Sequence, residues 1–203
     1  MKTIFTIQHT ESIHHTNGMV GSWTDWDLSE LGKQQAENIG KKLSAELAGK
    51  PVVMYASDLA RAKQTAEIVG KHLGLQPILE TALRERNLGK CVGKSIQWLK
   101  EHIECQEKTI DDRMFSDAES RRDVWNRLSP FFEKMMASEA ETVIIVSHGD
   151  LLSVFNAMFL GAGVTSLNHF ELYGVSGGVS KMYAEESGKR IIKKMSDLSY
   201  RMG

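Results

Sequence analysis

Three short apolar runs constrain this chain more than any other feature. Residues 3–7, 52–55 and 143–146 are nearly unbroken stretches of β-branched, aliphatic and aromatic side chains. A strand with one wet face alternates apolar and polar residues, so unbroken runs point to strands buried on both faces of a parallel sheet. Parallel neighbours need long crossovers, and the intervening segments read as amphipathic helices. One covers about 31–47, with Ser29 as its N-cap and Gly49-Lys50-Pro51 as its stop. A second opens at Ser57-Asp58 and runs to about Leu73, where Gly74 ends it. This alternation predicts an α/β fold: a three-layer sandwich with a mostly parallel central sheet and helices on both faces.

The rhythm breaks and then returns. Residues 119–137 carry Val124, Leu128, Phe131, Phe132 and Met135 at helical spacing, and a further helix is expected from Asp150 to Gly161. The tail reads as strands at 169–173, 179–184 and 190–195, the last two joined by the hairpin signal Glu186-Ser187-Gly188. The break, about 86–120, is rich in charge, with one helix expected near 95–105. An excursion of that length reads as a lid. There are no repeats, low-complexity tracts or proline-rich linkers, so residues 1–203 read as one domain with a lid-like insertion.

Composition narrows the function classes. With 41% hydrophobic and 25% charged residues and a net charge of −1, the chain has no basic footprint for nucleic acid. An anionic ligand must therefore be met by a local pocket. No stretch approaches the roughly 18 uninterrupted apolar residues of a membrane span, and the short run behind Lys2 does not make a signal peptide. Cys91 and Cys105 lack metal-ligand spacing and read as free thiols, which suits a cytoplasmic setting. Monomer and homodimer are both open.

Two of the apolar runs end alike. Residues 3–7 lead into Gln8-His9-Thr10-Glu11-Ser12, and 143–146 into Ser147-His148-Gly149. Ligands of open α/β sheets sit at the carboxyl ends of the strands, so neighbouring strands would bring both imidazoles to one sheet edge. Arg61, in the first turn of the helix after 52–55, reaches back over that edge, and the helix N-terminus there also favours an anion. Two histidines, an arginine and a helix N-terminus around one point form a phosphate receptor in which one imidazole can act as nucleophile. Glu85 follows the short apolar stretch 77–79 and is the candidate proton donor. Taken singly, each has an ordinary alternative: a satisfied loop histidine, a solvated arginine, an ion-paired surface carboxylate. Their convergence carries the reading.

These segments, together with Asp25…Leu28-Ser29-Glu30-Leu31-Gly32, Ser57-Asp58-Leu59-Ala60-Arg61-Ala62-Lys63-Gln64-Thr65-Ala66 and Leu83-Arg84-Glu85…Gly89, resemble the histidine phosphatase superfamily. This is the phosphoglycerate-mutase-like group with the hallmark Arg-His-Gly-Glu-Thr. The resemblance runs in order over almost the whole chain. It implies a metal-independent phosphomonoesterase, with no cofactor, acting on a small phosphorylated metabolite. His9 would form a phosphohistidine, Arg61 and His148 would grip the phosphate oxygens, and Glu85 would be the general acid and base. Gln8, Thr10, His15, Asn17, Ser57 and Gly149 would surround the phosphate. A phosphoglycerate-type mutase and a non-catalytic anion-binding module remain as alternatives.

The departures from the hallmark fall in the phosphate pocket. Gln8 stands for the first arginine and Thr10 for the glycine, so a charged, forked donor becomes a neutral one. A hydrogen bond to a charged group contributes ~1.5–3 kcal/mol, or about 10- to 150-fold in affinity. His15 falls where the family usually carries a phosphate-contacting asparagine, and in its protonated form it would restore positive charge. Val92 replaces a glutamate often found before Gly93, and Asp117-Ala118-Glu119-Ser120 only partly matches the family's Gly-Glu-Ser.

Overall fold

The computed structural model describes residues 1–203. In chain order it contains β1 (Lys2–Gln8), α1 (His14–Asn17), α2 (Glu30–Glu46), β2 (Val52–Ala56), α3 (Ala60–Leu73), β3 (Ile78–Leu79) and α4 (Ile96–His102). There follow α5 (Arg121–Ala137), β4 (Thr142–Ser147), α6 (Gly149–Phe159), β5 (Val179–Ala184) and β6 (Arg190–Asp197). One sheet has the order β3-β2-β4-β1-β5-β6. The first four strands in that order pair in parallel, and β5 and β6 add antiparallel at the β1 side. The expected mostly parallel sandwich is therefore present, with an antiparallel hairpin closing one side.

Side-chain alternation divides the core into two layers. Phe5, Ile7, Met54, Ile144 and Val146 pack with Ile39 and Leu43 of α2 and Ala62, Ala66 and Val69 of α3. Ile4, Val143, Ile145 and Met182 take the other face, against Leu128 and Phe131 of α5 and Phe155 and Phe159 of α6. Each large side chain so buried stabilises the fold by ~1.5–3 kcal/mol. α6 is apolar nearly all round, with Leu151–Phe159 buried throughout, as expected for a helix enclosed by other elements.

Local signals account for the helix ends. The Ser29 hydroxyl accepts from the Gly32 N–H, and Ser120 with Asp123 forms a capping box on α5. Gly74 takes the left-handed conformation that ends α3. The expected strand at 169–173 is absent. The Leu172 N–H donates to Ser153 Oγ and its carbonyl accepts from Asn156 Nδ2, so side chains of α6 hold the backbone groups a strand would have paired. The charged stretch before α5 makes a one-turn 3₁₀ helix at Gly89–Cys91, then α4. It gathers its own small cluster of Val20, Cys91, Phe115 and Ala118. Both cysteines are free thiols, and no helix is long and apolar enough to cross a membrane.

Candidate active site

The register of the parallel strands assembles the site. Gln8 pairs with Ser147 and Ala56 with Val146, so His9, Ser57 and His148 leave the sheet at the same edge. The His9 N–H still donates to the Ser147 carbonyl, and its own carbonyl accepts from Gly177 N and Ser176 Oγ. Those contacts lock a nearly buried imidazole. His9 Nδ1 lies 2.8 Å from the Thr10 carbonyl. A carbonyl only accepts, so Nδ1 carries the proton and Nε2 keeps its lone pair. Burial, and then the Arg61 charge, hold this ring well below the usual histidine range, so it is neutral.

Arg61 is 1% exposed. Its Nη1 and Nη2 donate to the carbonyls of Thr24 and Ser22, both at 2.8 Å, and its Nε donates to His9 Nε2 at 3.1 Å. No carboxylate forms an ion pair with it. Burial pushes it down to about 10, against the opposing pull of Glu85 and Asp25. An enclosed cation satisfied only by neutral acceptors costs solvation that an anion could return.

His148 is fully buried, with Nε2 at 2.8 Å from Ser57 Oγ and Nδ1 without a partner. Ser57 Oγ also accepts from the Leu59 N–H. In the tautomer where Ser57 Oγ gives its proton to Nε2, Nδ1–H of His148 is a donor without an acceptor. The imidazoles of His9 and His148 are 5.2 Å apart. Glu85 lies at the start of α6: Oε1 accepts from Arg86 N at 2.9 Å and Leu151 N at 3.1 Å, and Oε2 from Asp150 N at 3.3 Å. Burial, and then the neighbouring Asp150, raise it above the usual carboxylate range, as a general acid requires.

Other expected residues are placed differently. Gln8 packs its amide against Gly149 and Gly174; its Oε1 is unpartnered and no hydrogen bond ties it to His9, Arg61 or His148. The Thr10 hydroxyl is taken up by Thr65 Oγ1 at 3.2 Å. Asn17 is exposed and accepts from Met19 N, capping its own loop. His15 does come in: its ring stacks on His9 at 5.4 Å with 8° between the planes. Its Nδ1 accepts from the Ser12 N–H at 3.2 Å, which leaves the proton on Nε2. Partial burial of its ring, then the Arg61 charge, lower its affinity for a second proton, which works against the restored charge expected above.

Three contributors were missed. Ser22 holds Arg61 through its carbonyl, while its hydroxyl donates to the Arg86 carbonyl and accepts from Leu88 N. It sits at φ +33°, a strained value for a non-glycine. Thr24 supplies the second carbonyl, and the Trp23 indole donates to the Glu85 carbonyl at 2.6 Å. Both loop tryptophans are tied down by hydrogen bonds, Trp26 to the Val20 carbonyl. Nothing in residue type separates a backbone carbonyl that grips an arginine from any other.

A buried strand-tip imidazole with a free lone pair, an arginine bonded to it, a second imidazole whose Nδ1 has no partner and a carboxyl held towards its acid form thus meet at one edge of the sheet. The chain belongs to the histidine phosphatase superfamily (branch 1), whose profile matches residues 4–197, and is a phosphatase of that group. It is 30% identical over 179 residues to the glucosyl-3-phosphoglycerate phosphatase of Mycobacterium tuberculosis, covering 78% of this chain and 75% of that one. It is also 30% identical over 162 residues to a 2,3-bisphosphoglycerate-dependent phosphoglycerate mutase of Bartonella tribocorum, covering 74% and 78%. The fold matches the mycobacterial glucosyl-3-phosphoglycerate phosphatase solved with inorganic phosphate, with a TM-score of 0.84, 22% identity and full coverage of both chains.

Proposed function

We propose that the chain is a metal-independent phosphomonoesterase working through a phosphohistidine on His9. Nε2 of His9 attacks phosphorus in line with the ester oxygen, and a P–N bond forms as the P–O bond breaks. Glu85 gives its proton to the departing alkoxide, which leaves as the alcohol. A water then delivers its proton to Glu85 and attacks the phosphohistidine, releasing inorganic phosphate and returning His9 and the acid form of Glu85. Arg61, Nδ1–H of His148 and the N–H of His15 face the non-bridging oxygens, where a loose transition state most needs donors. The observation that carries this reading is the Arg61 guanidinium, buried without a carboxylate and resting on His9 Nε2. The substrate class is a small phosphorylated metabolite, as the names of the phosphatase and mutase relatives suggest.

Turnover of p-nitrophenyl phosphate tests the reading. The parent is expected to release phosphate without added metal, His9→Ala to abolish release while folding normally, and Glu85→Gln to lower kcat by ~10²–10⁴-fold. Because Glu85 must start protonated, kcat/KM should fall as pH rises through its elevated pKa, a limb that Glu85→Gln lacks. Turnover unchanged in His9→Ala would contradict the mechanism. Isomerised phosphoglycerate with little free phosphate would favour the mutase alternative.

A further inference from the structure

We propose that His9, His14 and His15 form a binding site for a borderline-soft dication of the zinc type, and that the bound ion takes the nucleophile out of action. His14 has no part in the phosphatase mechanism, yet α1 folds it back over the site. Its ring centre lies 5.8 Å from that of His9 and 4.0 Å from that of His15. One ring nitrogen from each of the three side chains falls within 4.8 Å of the other two. The spacing 9, 14, 15 does not announce this in the sequence, because the turn through Ser12 and the short α1 create it.

The surroundings resemble the outer shell of a metal centre. His9 Nδ1 is tied to the Thr10 carbonyl and His14 Nδ1 to Ser12 Oγ, so each ring is oriented through Nδ1 and keeps Nε2 for a ligand. The donor set is three imidazoles without a carboxylate, which suits zinc, copper, cobalt or nickel and discriminates against magnesium and calcium. Three protein ligands with a fourth position open to water or an anion is also the arrangement zinc takes at sites that are not purely structural.

Two features set the terms of binding. Zn–N bonds of ~2.0–2.1 Å put tetrahedral ligand atoms about 3.4 Å apart, so the trio must contract. The parallel rings of His9 and His15 cannot both aim at one ion as they stand. His15, exposed on α1, is the ring free to tilt, at the cost of its contact with the Ser12 N–H. Arg61 must also release His9 Nε2, and its charge opposes a dication. It stays anchored by Ser22 and Thr24, and a hydroxide or other anion in the fourth position offsets the repulsion. The ion and a substrate phosphoryl group then compete for the same His9 lone pair. Metal binding stands apart from the phosphatase reading, and only the inhibitory consequence rests on it.

The test is a titration of chelator-treated full-length protein with Co²⁺, followed in the visible region, and with Zn²⁺ by calorimetry. One equivalent should bind with the absorption of a tetrahedral nitrogen-rich site. His14→Gln and His15→Gln should each weaken binding roughly tenfold or more, whereas His72→Gln and His102→Gln should leave it unchanged. Absence of a stoichiometric Co²⁺ spectrum in the parent would overturn the site without recourse to any variant, as would parental affinity in a folded His14→Gln protein. Activity measured on the same samples separates the two readings. Stoichiometric binding with no turnover after chelation defeats the phosphatase reading alone, turnover without stoichiometric binding defeats the metal site alone, and undiminished turnover with one equivalent bound defeats the inhibition.

Discussion

Arg61 is the residue on which the site turns. An arginine almost never sits 1% exposed without a carboxylate, and this one spends its donors on two carbonyls and an imidazole lone pair. Its sequence position, one turn into a helix after a buried strand, was legible, as were the strand-tip places of His9 and His148. The neighbours of these residues were not. Gln8 and Thr10 occupy hallmark positions, yet the Gln8 amide packs on Gly149 and Gly174 and the Thr10 hydroxyl binds Thr65. A one-dimensional motif says which residue follows His9 but not which way its side chain leaves the backbone. His15 shows the converse: the sequence puts it in the loop after His9, but that its ring stacks on His9 near the Arg61 charge is seen only in the folded chain.

At the scale of elements, the loop after β1 is held by the close approach of α2. A Cβ on Gly32 would lie 1.8 Å from the Glu11 carbonyl oxygen, so only glycine lets the helix seat against the loop carrying His9. Gly32→Ala must push that loop outwards. It is expected to cost ~1–3 kcal/mol, in the range of overpacked sites, and to reduce turnover through displaced His9. Gly163→Ala, where a Cβ meets nothing within 4 Å at an ordinary φ, is the control. Equal melting temperatures for the two variants would show that the approach of α2 does not hold the loop. The helices themselves were readable within a few residues from capping and periodicity. The false strand at 169–173 arose because its apolar pattern cannot show that Ser153 and Asn156 would capture its backbone.

For the molecule as a whole, the buried imidazoles couple activity to stability. His9 and His148 are held well below the ordinary histidine value by burial and by Arg61. The unfolded chain therefore binds protons that the folded chain refuses. Their contribution is fully present above an unfolded pKa of about 6.5 and is lost as pH falls below it, by about 1.4 kcal/mol per pH unit for each ring. Glu85, raised in the folded state, acts with the opposite sign and favours folding as it becomes protonated. Thermal melts in chelator-containing buffer from pH 7.5 to 5.5 should show a falling melting temperature, an expectation refuted by a rise. The layer architecture was legible because unbroken apolar runs at this spacing leave few arrangements. The antiparallel pairing of β5 with β6 followed from the hairpin signal, which says nothing of the place β5 takes beside β1.

His9 is the residue expected to carry the phosphoryl group during turnover. Rapid acid-free quenching during turnover of p-nitrophenyl phosphate, followed by peptide mass spectrometry, tests it most directly. The expected result is one phosphoryl group, labile to acid, on the peptide containing His9, accumulating when Glu85→Gln slows hydrolysis of the intermediate. A turning-over enzyme whose His9 stays unmodified, or whose phosphoryl group appears on another residue, would contradict it.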